Sequence, residues 1–183
     1  MKKFCALALL LAMCVVMCAC SCVADTSDTT APACDELTIR KLMEQNLDCY
    51  FIYYVEPLSV TTQQNSDGYL GTDGSYMKTY SELENLVKTT YVKNTADKLL
   101  CYPTKETPLY KGVDNLIFAK PDVAEFKKYN IIWEDSYTIK IDSCTDTQCK
   151  FTLNTTDLDS KPYTTQGVAQ VQDGKWLLAD IIH

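Results

Sequence analysis

Histidine is almost absent from this chain: its 183 residues include one, His183, at the final position. A Ser-His-Asp or Cys-His arrangement needs an imidazole held by neighbours as a general base, and the end of a chain is usually mobile. His183 is therefore not expected to be catalytic. Histidine-based metal hydrolysis is disfavoured too, because no His-Glu-x-x-His or comparable cluster is present. Glycine is scarce, with six residues. The pairs Asp67-Gly68 and Asp73-Gly74 invite a phosphate-loop reading, but no Gly-Lys-Ser/Thr follows them and no helix starts at once. They read as turn dipeptides around short strands near Tyr69-Leu70 and Tyr76-Met77. Basic charge is also in deficit: outside the first 20 residues, 15 basic side chains face 24 acidic ones, about −9. Such a surface argues against nucleic acid and against an anionic membrane face, and it permits a basic protein partner. No repeat, coiled coil or second membrane span is visible.

The one long apolar run stands at the start. Lys2 and Lys3 precede an apolar region from Phe4 to Met17, and small residues at Ala19 and Ser21 each stand before a cysteine. This reads as a bacterial lipoprotein signal over residues 1–20. The processing peptidase accepts little bulk before its cut, which favours Cys20 as the lipid attachment site, with Cys22 as runner-up. A plain cleaved secretory signal and an uncleaved anchor are the alternatives. All three place the folded part outside the cytoplasm, and the lipoprotein reading anchors it to the outer face of the cytoplasmic membrane. Residues 21–34 are small and polar and read as a flexible tether, leaving 35–183 as a single domain.

Five cysteines lie beyond Cys22: Cys34, Cys49, Cys101, Cys144 and Cys149. An odd number cannot all pair. Cys144 and Cys149 flank Thr-Asp-Thr-Gln between two strand-like runs, a spacing that sets them opposite each other across a hairpin as a candidate disulfide. Zinc is the sharper reading of the pair, but structural sites usually take four ligands and nothing nearby in sequence supplies the others. No metal or cofactor is expected.

Within 35–54, Leu37, Ile39, Leu42, Met43, Leu47, Tyr50, Phe51 and Tyr54 recur at the spacing of an amphipathic helix, which Pro57 stops. Ser81-Glu82-Leu83-Glu84 reads as a capping box opening a helix through Val92. Asn94 or Thr95 then caps a second short helix. Residues 109–119 read as a hairpin turning at Asp114-Asn115, and 121–129 as a short helix. The last third holds four β-rich runs, 131–143, 149–156, 163–172 and 175–182, which suggest an antiparallel four-stranded meander. With one face buried beneath the helices, the fold class is α+β.

Catalytic candidates are few. Glu134 and Asp135 are neighbours in a strand-like run and point to opposite faces. Asp157 and Asp159 sit in a loop without the spacing of a calcium site. Both pairs read as solvated charge, and no motif supports a Ser-Lys or Lys-Tyr dyad. A binding protein is favoured over an enzyme. Tyr50, Tyr54, Trp133 and Tyr137 are candidate walls of a ligand pocket, with core packing as their plainer role.

The stretch 79–100, reading TYSELENLVKTTYVKNTADKLL, is similar to the helical segment of exported Firmicutes proteins of the IseA family. Asp173-Gly174-Lys175-Trp176-Leu177-Leu178 resembles the closing strand of those proteins and of many NTF2-like domains. The resemblance implies helices packed on a curved antiparallel sheet of NTF2-like or cystatin-like form. It also implies a role: IseA-type proteins inhibit cell-wall DL-endopeptidases, cysteine peptidases of the NlpC/P60 type, by occupying the catalytic groove. Such a partner needs no catalytic residue in the inhibitor. The loops at 67–75 and 157–162 are the candidate contacts, and no inhibitory residue is carried over. The alternative is a lipoprotein that binds a small ligand or peptide.

Overall fold

The computed structural model describes residues 31–133 and 137–183. The signal, Cys20 and most of the tether lie outside the described residues, as does the Glu134-Asp135 pair. The described chain is α+β, with three α-helices and two antiparallel sheets.

Helix α1 spans Glu36–Tyr50, and Asp35 caps it by accepting from the Thr38 N–H at 2.8 Å. Its buried face is Ile39, Leu42, Met43, Asn46, Cys49 and Tyr50. Leu37 falls off that face and is exposed. The chain then widens into a single π-helical turn, Phe51–Val55, where the Glu56 N–H reaches back to the Phe51 carbonyl at 2.9 Å. Widening the turn buries Ile52 and Tyr53 while leaving Phe51 outside.

Helix α2 covers Tyr80–Thr90. The capping box is set two residues earlier than expected: Thr79 Oγ1 accepts from the Glu82 N–H, and Glu82 returns a carboxylate oxygen to the Thr79 N–H. Both frames fit the pattern, and Ser81 is occupied elsewhere. Its N–H and hydroxyl both donate to Asn115 Oδ1, at 3.0 and 2.7 Å. Helix α3, Lys93–Leu100, starts at Val92 without a side-chain cap. The Lys93 N–H is satisfied by Gln172 Oε1, and Thr95 donates its hydroxyl to the Ala179 carbonyl.

The smaller sheet runs in the order β1 (Val60–Gln64), β2 (Leu70–Thr72), β4 (Leu116–Ala119), β3 (Tyr110–Val113). The β3–β4 hairpin turns at Asp114-Asn115, both at positive φ, the geometry of a type I′ turn. Tyr76-Met77 is not a strand, and of the short helix expected at 121–129 only a 3₁₀ turn at Pro121–Val123 forms.

In the larger sheet β6 (Thr138–Cys144) pairs β7 (Gln148–Asp157), β7 pairs β8 (Pro162–Gln172), and β8 pairs β9 (Lys175–Leu178). The expected run 131–143 is divided: a short β5 (Ile131–Ile132) and β6 lie one after the other along the same edge of β7. The expected last strand ends early. After Leu178 the chain leaves the sheet and crosses to α1, where the Ile182 N–H bonds Asn46 Oδ1 at 2.9 Å.

One core joins both sheets and the helices, filled by Met43, Tyr53, Tyr91, Phe151 and Leu153, all 1% exposed or less. Gly167 in β8 makes room for it, since a Cβ there would stand 2.3 Å from the Phe151 ring. The packed unit begins before Asp35: Cys34 is buried, and the Pro32 carbonyl accepts the Trp176 indole N–H at 2.6 Å. Residues 32–34, expected in the tether, therefore belong to the domain. No helix of the described residues is long and apolar enough to cross a membrane.

Candidate functional site

The aromatic end of α1 is where the candidate pocket residues gather, though not all in one place. Tyr50 and Trp133 line a cavity of about 130 Å³ together with Tyr129, Tyr163 and His183. The His183 imidazole stacks on Tyr50 at 5.6 Å, and the Tyr163 hydroxyl donates to the His183 carbonyl at 2.7 Å. The chain end is thus held down, contrary to the expectation of a mobile His183. Trp133 meets Tyr163 edge to face at 5.9 Å. Its indole N–H is buried and has no hydrogen-bond partner among the described residues.

Tyr54 stacks on Tyr50 at 5.7 Å but faces a different, wider cleft beside Lys98 and Tyr102. Burial pushes its hydroxyl up to about 12. Tyr137 packs edge-on to Trp133 from behind, with the Arg40 guanidinium 4.9 Å above its ring, and does not line the cavity. Of the four expected walls, the structure brings together Tyr50 and Trp133. The partners missed, Tyr163 and His183, come from β8 and the chain end, and their meeting with α1 depends on the Asn46–Ile182 contact.

A second concavity opens on the other side of the π-helical turn. Phe51, Pro57, Leu58 and Tyr76 give it an apolar floor, and Asp48 and Glu56 stand at its rim, enclosing about 320 Å³. Phe51 and Tyr76 are 41% and 56% exposed. The Tyr76 hydroxyl donates to Asp48 Oδ1 at 2.6 Å, and its own ionisation is pushed up by burial first and by that carboxylate second. Phe51 also touches Tyr129 edge to face at 6.2 Å, joining this groove to the cavity wall. A π-helical turn is a costly insertion that recurs at functional sites. Here it turns one aromatic ring outward while its neighbours stay in the core.

The two candidate loops are tied down locally. Asp73 Oδ1 accepts from the Ser75 N–H, and Asp67 pairs with Lys111 at 3.3 Å. Asp157 Oδ1 accepts from the Asp159 and Lys161 N–H groups, and Asp159 pairs with Lys161. Asp157 and Asp159 shape a turn and do not converge on a common point.

Cys144 and Cys149 lie directly opposite in the β6–β7 register, with both thiols free. The structure adds a neighbour that their spacing could not reveal. Cys34 joins them, and the three Sγ atoms lie within 4.8 Å of one another. Burial pushes the Cys34 thiol up to about 11. The Cys149 thiol is also raised, by burial first and then by the neighbouring sulfurs. No protein-family profile matches the chain, and no curated protein matches it in sequence.

Proposed function

We propose that this chain is an envelope lipoprotein, held by lipid on Cys20, whose exported domain docks onto a protein and restrains it without chemistry of its own. The observation that carries the reading is the groove at the π-helical turn. It presents two exposed aromatic side chains, Phe51 and Tyr76, between the carboxylates of Asp48 and Glu56. Exposed aromatics in a shallow depression supply desolvation energy on docking, and the acidic rim selects a partner whose facing surface is basic. The IseA resemblance names the partner class, a cell-wall DL-endopeptidase, and with it a domain of NTF2-like form. Muropeptide cleavage by an exported peptidase of that class, with and without the purified protein, tests the reading. Slowed cleavage that Phe51→Ala with Tyr76→Ala relieves supports it.

A second reading, capture of a small ligand or short peptide, is favoured by the Trp133 indole N–H. A buried donor in a cavity wall without a partner among the described residues offers a hydrogen bond to an incoming carbonyl or carboxylate. A stem-peptide fragment bound there shifts the Trp133 indole proton resonance and leaves that of Trp176, which is already bonded to Pro32, in place.

A further inference from the structure

We infer that Cys34, Cys144 and Cys149 form a three-thiolate site for a soft monovalent metal ion, Cu(I), at the junction between the N-terminal segment and the larger sheet. The three Sγ atoms come from two distant parts of the chain and lie within 4.8 Å of one another. Metal–thiolate bonds of about 2.3 Å in a trigonal arrangement set the sulfurs roughly 4 Å apart. The site closes on an ion with side-chain adjustments and no movement of the fold.

Two of the ligands sit on a rigid frame. The Thr145 N–H bonds the Gln148 carbonyl at 2.8 Å, so the adjoining Cys144–Cys149 pair is a non-hydrogen-bonded one, whose side chains stand closest. The third is held from both sides: Asp35 caps α1 immediately after Cys34, and Pro32 is fixed to Trp176 two residues before it. Among the described residues Cys144 is exposed while Cys34 and Cys149 are buried, so Cys144 is the ligand that meets an incoming ion first.

The donor set selects the metal. All three ligands are thiols, and no histidine or carboxylate among the described residues joins the group. Structural zinc and iron–sulfur centres call for four protein ligands. Cu(I) prefers soft thiolates and is satisfied by three. Binding displaces the thiol protons of its ligands, so affinity rises with pH. An ion bound here clamps the segment that leads to the lipid onto the sheet.

The test uses the exported protein, reduced and anaerobic, with Cu(I) supplied as the complex of a colorimetric chelator. One copper per chain is expected to transfer to the protein and to shield Cys144 from alkylation. Cys144→Ser is expected to weaken retention by at least about 100-fold, beyond the loss caused by removing a ligand's outer partner, while Cys101→Ser changes nothing. Cys144 carries the test because it is exposed, so its replacement leaves the core intact. The inference is overturned if the chelator keeps the copper, if Cys144→Ser and Cys101→Ser behave alike, or if the reductant leaves a Cys144–Cys149 disulfide closed.

Discussion

Asn46 and Ile182 exchange two hydrogen bonds: the Asn46 amide donates to the Ile182 carbonyl at 2.8 Å, and Asn46 Oδ1 accepts the Ile182 N–H at 2.9 Å. The same oxygen accepts the Tyr91 hydroxyl at 2.9 Å. A fully buried amide in the middle of α1 thus pins the chain end and the linker between α2 and α3, and it sets His183 against Tyr50.

Asn46→Ala strands a buried hydroxyl and both polar groups of the Ile182 backbone. Each buried group left unpaired costs about 1–3 kcal/mol. We expect a loss of about 3 kcal/mol or more, measured from the shift of the urea midpoint. The Tyr50–His183 stack should loosen with it, seen as a change in the His183 ring resonances.

Gly167→Ala places a methyl group 2.3 Å from the Phe151 ring and 2.7 Å from Ile182 Cδ1. Overpacking of this kind costs about 1–3 kcal/mol. Gly71→Ala is the control, since its nearest neighbour is Thr61 Oγ1 at 3.5 Å, an ordinary contact. Thermal unfolding of the two variants should separate them clearly, with Gly71→Ala close to the parent.

Stability should fall on the alkaline side. An unfolded cysteine ionises near 9.0, while burial pushes Cys34 up to about 11 and Cys49 up to about 12. Between those values the unfolded chain has released protons that the folded one still holds. The stabilising contribution is therefore complete below pH 9 and is lost as pH rises toward 11 to 12. Denaturant midpoints measured across that range should decline, and Cys49→Ala should decline less steeply.

Local signals made part of this fold legible and long-range ones hid the rest. Helix α1 was readable because Ile39, Leu42, Met43 and Tyr50 keep one face buried. The Asp114-Asn115 turn was readable from its residue types alone. Strand β1 was not, because all five of its residues are exposed and show no alternation. The capping frame of α2 was ambiguous until Asn115, 34 residues from Ser81, claimed that serine. At the candidate sites, Tyr50, Trp133 and the placing of Cys144 opposite Cys149 across a hairpin could be read from composition and spacing, though both thiols are free. The meeting of Cys34 with that pair could not, because it depends on where Pro32 and Trp176 touch, 144 positions apart. The groove was missed because Tyr76 looked like part of a strand and Phe51 like part of the core.

The most direct measurement is the rate of muropeptide cleavage by an exported NlpC/P60-type peptidase at saturating concentrations of the purified protein. The account predicts slowed cleavage by the parent and recovery with Phe51→Ala and Tyr76→Ala together, two exposed positions whose truncation leaves the core intact. Unchanged cleavage with the parent, or equal slowing by parent and double variant, would contradict it.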